Sequence, residues 1–482
     1  MPIRSRIILV VLSVAFVCLA RGQPNVLFIV CDDLNTHVSS SGYAAIETPN
    51  FDRLAAKGMT FDRAYCQYPV CGPSRASFLH GLYPEVTGVL SNTSDIRDTR
   101  PGTVSLPQAF KEQGYWTAAT GKVFHNVKMD HGTVAWNEME RFSNDELPIA
   151  AAARVAFEAE HGPVTSRDNR SRWKAHLQAL STQTRGQERP GYGRSGLTDD
   201  QQADGKNALQ ATAWLDGKAY GEKPFFMAVG IHKPHVPFLA PDAYFDLYPQ
   251  GELDFVKPPA DFWEQAPKMA MVKRYSAFGF ELGQENDALR REYMQAYHAY
   301  ISFVDAQIGR IFDSLERNDL WDDTIVVLIS DHGYQLGEHF MWGKVTLFET
   351  CARVPMIIHA PGMTRAGETT AALAELVDLY PTLAELCGIE APDDLQGRSL
   401  VTNLADTQVA GKAATYTVVT RRDQLGKAIH TQEWRYALWP DGEELYHLKE
   451  DPEEHRNLAN DPGHQRVLAE MRSRLPVFES AP

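Results

Sequence analysis

The chain is poor in cysteine, with 6 among 482 residues, and their positions make no disulfide framework. Cys31 ends an apolar run and Cys387 falls on an expected helix, so both read as buried thiols. Runs of basic residues are absent and the formal net charge is -15. That excludes nucleic acid as a partner, because phosphate binding needs a positive patch. It does not exclude an anionic small substrate, whose cations must then be concentrated in a pocket. Long apolar runs are missing too: Ile7 to Leu19 is shorter than the roughly 20 residues of a membrane span. With Arg4 and Arg6 before it and Ala20-Arg21-Gly22 after it, this run reads as a signal peptide over residues 1–22. Export to a periplasm or the extracellular space is the expectation, with no stable membrane span. Internal repeats and low-complexity linkers are also absent.

What is present is a globular composition, 44% hydrophobic and 23% charged, long enough for a large core and a second domain. Asn25 to Cys31 is a continuous apolar run ending in Asp32-Asp33, as expected of a parallel strand buried on both faces. Thr324 to Ser330 repeats that layout and ends in Asp331-His332. Tyr115 to Thr120 is a strand running into Gly121-Lys122-Val123-Phe124-His125, and Pro224 to Gly230 one running into Ile231-His232-Lys233-Pro234-His235. Thr48 to Gly58 reads as a short capped helix, and Arg290 to Leu315 as a long one whose tyrosines Tyr293, Tyr297 and Tyr300 face a core. Alternating strands and helices over residues 24–390 predict an α/β fold, with a large mixed, mainly parallel sheet sandwiched by helices. From about Thr415 short strands and one terminal helix predict a smaller C-terminal α+β domain. The expected division is residues 23–408 and 409–482. Residues 126–203 lose periodicity and read as an insertion with one helical stretch around Trp173 to Leu180.

In open α/β sheets ligands bind at the carboxyl ends of the strands. Those ends carry Asp32 and Asp33, Lys122 and His125, His235, and Asp331 and His332, with Lys344 following in Trp342-Gly343-Lys344. Adjacent carboxylates repel and cost desolvation, so a pair at a strand mouth suits a hard cation, although a solvated turn has the same local look. Cys71-Gly72-Pro73-Ser74-Arg75 is expected at a helix N-terminus, where backbone N–H groups favour an anion.

The pentapeptide Cys71 to Arg75 resembles the signature of the type I sulfatases. Asp32-Asp33-Leu34, Gly121 to His125, Ala228 to Phe238 and Ser330 to His339 with Lys344 extend the resemblance to the iduronate-2-sulfatase branch, over about Asn25 to Ala459. The resemblance implies an alkaline phosphatase/sulfatase-like fold and oxidation of Cys71 to formylglycine (3-oxoalanine) by a formylglycine-generating maturation enzyme. It further implies Ca²⁺ held by Asp32, Asp33, Asp331 and His332 with the residue at 71. Arg75, Lys122 and His125 would hold the formylglycine hydrate. Asp331 would activate it, and His235 and Lys344 would bind sulfate and assist the leaving alcohol. One departure stands out, Leu79-His80-Gly81 where the family usually has Leu-Thr-Gly.

The function expected is an exported sulfatase acting on a sulfated sugar or polysaccharide, with a 2-O-sulfated uronate as the branch suggests. The alternatives are a phosphoryl or phosphonate ester hydrolase on the same scaffold, or an inactive sulfated-glycan-binding protein if Cys71 stays a thiol.

Overall fold

The structure is a computed structural model that describes residues 22–183, 192–272, 287–362 and 365–478. The expected signal peptide therefore lies outside the described residues, apart from Gly22.

The main sheet has eight strands: β1 (Asn25–Asp32), β2 (Met59–Phe61), β3 (Trp116–Gly121), β4 (Glu138–Glu140), β5 (Phe225–Pro234), β6 (Thr324–Ser330), β7 (Met356–His359) and β8 (Glu368–Thr370). Their order is β8-β2-β7-β6-β1-β5-β3-β4. β7 runs antiparallel to both neighbours, and every other pairing is parallel. The uninterrupted apolar runs follow from burial on both faces. Leu27, Ile29 and Cys31 of β1 point into one core while Val26, Phe28 and Val30 point into the other, and all six are fully buried. At about 1.5–3 kcal/mol per large side chain, such strands dominate the stabilisation of the fold.

The first core is closed by α2 (Ala203–Asp216) and α3 (Asp287–Arg317), the second by α1 (Cys71–His80) and α4 (Leu379–Cys387). α3 buries Tyr293, Tyr297, Tyr300, Val304, Ile308, Ile311 and Leu315, the periodic face the sequence predicts. Cysteines 31, 66, 71, 351 and 387 are all buried.

Three local expectations are revised. Helix Pro49–Lys57 forms, but the Thr48 side chain does not cap it; the carboxylate of Asp305 takes the N–H groups of Asn50 and Phe51, each at 2.9 Å. The segment 126–203 is not wholly an insertion. Glu138–Glu140 joins the sheet as an edge strand beside β3, and helices Pro148–His161 and Arg167–Gln183 follow it. Finally, β5 continues through His232 and Lys233 to Pro234, further than the apolar run indicated.

A second sheet, β9 (Thr415–Arg421), β10 (Gln424–His430), β11 (Trp434–Trp439) and β12 (Gly442–His447), is an antiparallel meander, with helix α5 (Gln465–Ser473) packed on its core. It grips the segment leading into α1: Val418 N–H donates to the Gln67 carbonyl at 2.9 Å and the Thr417 hydroxyl to that of Cys66 at 2.6 Å. Tyr68 shares this sheet's core and donates its hydroxyl proton to Leu90. The C-terminal sheet thus fixes the approach to Cys71.

Candidate active site

Four adjacent parallel strands, β6, β1, β5 and β3, end in a row at one edge of the sheet. They deliver Asp331 and His332, Asp32 and Asp33, His235, and Lys122 to one place, as parallel topology dictates. Cys71 is the first residue of α1. Asp33 adopts a left-handed backbone conformation (φ 67°), held by its N–H donating to Asp331 Oδ1 at 3.2 Å and its carbonyl accepting from the Tyr297 hydroxyl at 2.7 Å.

The Cys71 sulfur lies 3.1 Å from Asp32 Oδ1, while Lys344 Nζ and His332 Nε2 stand 3.2 and 3.4 Å from it. Lys122 pairs with Asp32, Lys344 with Asp33 at 2.6 Å, and Arg75 Nε with Asp331 at 2.8 Å. Arg75 also donates to the carbonyls of Lys122 and Val123, which ties α1 to the end of β3. Three buried carboxylates thus face three buried cations, which offsets the desolvation each would otherwise suffer.

The balance sets the protonation states. Burial pushes the Cys71 thiol up, yet Lys122, Lys344 and His332 outweigh it and hold it well below the usual range, with His125 adding to the effect. For Asp32, burial and Cys71 push upward, and Lys122, His235 and Arg75 prevail, so the carboxylate stays ionised. Asp331 is pushed up to about 6 by burial, against Arg75 and His332. Burial opposes the charge on His332, but Asp331 raises it to about 9.

The carboxylates among the donors suit a hard cation. Asp32, Asp33, Cys71 and His235 form one cluster of potential ligands, and Asp32, Cys71, Asp331 and His332 a second that overlaps it, with the atoms in each within 4.8 Å of one another. Asp33 Oδ2 is buried and has no hydrogen-bond partner, leaving an oxygen for a metal.

Every sequence-predicted site residue lies at this edge. His235 lies at the open side, its side chain about a third exposed; Nδ1 donates to the Val236 carbonyl at 2.7 Å and Nε2 is 3.9 Å from Asp33 Oδ2. His125 Nδ1 is buried without a partner. His80, the departure from the family pattern, does not reach the thiol. It is buried at the far end of α1, donates to the Ala76 carbonyl at 2.8 Å and packs near Phe124 and His131. Sequence reasoning missed three supports. The Ser74 hydroxyl donates to the Asp331 carbonyl at 2.5 Å, Asn92 Oδ1 accepts from Gly72 N–H at 2.8 Å, and Tyr297, read only as core, braces Asp33. Ser74 was inside the quoted pentapeptide; Asn92 carries no signal in its local sequence. A cavity of about 540 Å³ lies at the opposite end of the sheet, between Asn25, Lys223, Asp323 and Pro361, and shares no residue with this site.

This fold and this charge-balanced centre define a hydrolase of anionic esters. The chain belongs to the sulfatase family: the Sulfatase family model matches residues 24–389, and that described as N-sulphoglucosamine sulphohydrolase, C-terminal, matches residues 337–480. It is 33% identical over 439 residues to a sulfatase of Formosa agariphila, covering 88% of this chain and 80% of that one. It is 30% identical to the iduronate 2-sulfatase of Mus musculus, covering 76% of this chain and 69% of that one. In fold it is similar to a 2-O GAG sulfatase (TM-score 0.70, 24% identity, 94% of this chain and 91% of that one). It is also similar to a phosphonate monoester hydrolase of Agrobacterium radiobacter (TM-score 0.73, 23% identity, 94% of each). The protein is a sulfuric ester hydrolase.

Proposed function

We propose that the protein is an exported sulfatase that hydrolyses a sulfate ester of a sulfated sugar, with a 2-O-sulfated uronate unit as the leading substrate. It would use formylglycine made from Cys71 by a maturation enzyme, together with Ca²⁺. The observation that carries this reading is the set of contacts at Cys71, with Asp32, Lys344 and His332 all within 3.4 Å of a sulfur at a helix N-terminus. The substrate class follows the iduronate 2-sulfatase relatives and an N-acetylglucosamine-6-O-sulfatase of Bacteroides thetaiotaomicron at 26% identity. Among the described residues no helix is long and apolar enough to cross a membrane. Residues 23–408 are the catalytic unit in this proposal and 409–482 the smaller unit that steadies the approach to residue 71.

Formylglycine hydrate at position 71 would supply two hydroxyls, one as the nucleophile toward sulfur and one whose deprotonation would release sulfate. A Ca²⁺ ion held by Asp32, Asp33, Asp331, His332 and residue 71 would offset negative charge on the sulfuryl group. The chain's own residues do the rest. Asp331, fixed by Arg75 Nε at 2.8 Å, takes the proton of the attacking hydroxyl. Lys122, Lys344 and Arg75 keep positive charge around the developing anion without reorganising, since each is already pinned to a carboxylate. His235, at the open side, meets the leaving oxygen with Lys344, and His125 beside residue 71 removes the remaining hydroxyl proton.

Mass spectrometry of the tryptic peptide from Ala64 to Arg75, on protein made with a maturation enzyme, tests the nucleophile. An aldehyde at position 71 together with sulfate release from sulfated uronates is the expected result. Faster turnover of a phosphate or phosphonate ester than of any sulfate ester overturns it.

A further inference from the structure

Behind His235 lies a buried acid and base that touch none of the reacting groups. Asp204, on the first turn of α2, is 1% exposed, and Lys233 is 7% exposed. Asp204 Oδ1 accepts the N–H of His232 at 2.9 Å, and Oδ2 accepts that of Lys233 at 3.1 Å. Lys233 Nζ reaches forward over the same loop and donates to the carbonyls of His235 and Pro237, both at 2.8 Å, above the ring of Tyr300 at 4.9 Å. Four backbone groups, at His232, Lys233, Pro237 and His235 itself, are therefore held by two side chains.

The same helix turn reaches the neighbouring strand. Asn207, fully buried, donates to Asp204 Oδ1 at 3.0 Å and accepts from the Thr120 hydroxyl at 2.9 Å, at the end of β3 just before Lys122. Gly121 has a left-handed φ of 73°, and a Cβ there would collide with Asn207 and with the Gly230 carbonyl, so the two strand ends and α2 are in close contact. Burying an ammonium and a carboxylate is costly unless both are fully engaged, and here, apart from the His232 ring nitrogen Nδ1 at 3.3 Å from Asp204 Oδ1, every bond goes to the backbone that carries active-site residues or to the residue that joins the two strand ends.

We propose that Asp204, Asn207 and Lys233 are positioning residues, a latch from α2 that fixes His235 against Asp33 and holds its strand in register with the one carrying Lys122. The inference rests on the reading of His235 as the residue that meets the leaving group. A displacement of about 1 Å at such a residue lowers turnover by about 100-fold.

The test uses Lys233→Met, its conservative partner Lys233→Arg, and Asn207→Leu, each as the full matured enzyme. Expected for Lys233→Met is a fall in kcat of about 10- to 100-fold on an alkyl sulfate, whose leaving group needs a proton. On an aryl sulfate the loss is small and KM is little changed, and Lys233→Arg recovers part of the loss. Crystal structures of parent and variant supply a readout apart from activity: His235 Nε2 moves away from Asp33 Oδ2. An equal loss on both esters, or His235 unmoved, overturns the latch. Should Lys233→Met not fold, Asn207→Leu carries the same test through the β3 connection. If the parent releases no sulfate at all, the reading of the reaction fails, while the position of His235 still decides the latch.

Discussion

Lys344 Nζ donates to Asp33 Oδ1 at 2.6 Å, with the lysine side chain 8% exposed and the aspartate wholly buried. Asp33 leads the groups that hold the Lys344 ammonium charged against burial. Removing one member of such a pair strands the other. In chelator-treated protein, Lys344→Met is expected to lower unfolding free energy by ~3–5 kcal/mol, and Lys344→Met with Asp33→Asn to lower it by less than the sum of the single changes. Urea titration of the four proteins reads the coupling; strict additivity would mean the pair does not interact.

Asp331 accepts from Arg75 Nε at 2.8 Å and its backbone carbonyl from Ser74. In Asp331→Asn the shape survives but the proton acceptor is gone. Turnover is expected to fall by about 10²- to 10⁴-fold, the range for loss of a general base, with the peptide around residue 71 still matured by mass spectrometry. Ser74→Ala leaves the carboxylate in place and should cost much less. Near-parental kcat in Asp331→Asn removes it from the role of base.

The unpartnered Asp33 Oδ2 and the carboxylates around it lead to a metal prediction. Treatment with a calcium-selective chelator is expected to abolish sulfate release and lower the melting temperature. Added Ca²⁺ should restore both, since a ligand bound only by the folded state stabilises it by mass action. Asp33→Asn should weaken the Ca²⁺ concentration dependence of the melting temperature. A chelated enzyme with full activity and unchanged melting would remove Ca²⁺ from the site.

The elements that carry this site were legible because burial on both faces leaves a continuous apolar run, and a charged pair closing such a run has few reasons to be there. That is why β1 with Asp32-Asp33 and β6 with Asp331-His332 stood out. Glu138–Glu140 did not, since its side chains are exposed and its strand character comes only from backbone pairing with Ala118 to Thr120. Helix Pro148–His161 is alanine-rich and offers few large apolar side chains to read. Tyr297 was placed in the core by its helical spacing, correctly for its ring. Its hydroxyl, which reaches Asp33, has no sequence signature. In sequence Asp204 is only an acidic residue at a helix start, and only the fold brings the His232-Lys233 backbone to it.

Buried histidines make stability pH-dependent. Among them His80, His298 and His339 are at most 1% exposed. Burial drives His80 and His339 down to about 3 and His298 well below the usual range. A folded pKa below the unfolded value of about 6.5 means that the unfolded chain binds the extra proton. The contribution is therefore complete above pH 6.5 and is lost as pH falls toward the folded value, by ~1.4 kcal/mol per pH unit for each histidine. Buried carboxyls oppose the trend: Asp305 and Asp378, pushed up to about 6 chiefly by burial, contribute stability below the usual carboxylate range that is lost as pH rises through 6. A variant isolates one histidine from that background. Both ring nitrogens of His298 lack partners, and the ring packs edge-on to Tyr43 and Tyr248, so His298→Phe keeps the packing and removes the proton site. Relative to the parent it should gain ~1.4 kcal/mol for each pH unit below 6.5, measured by urea unfolding at neutral and acidic pH. A difference that does not change with pH would show that His298 titrates alike in the folded and unfolded chain.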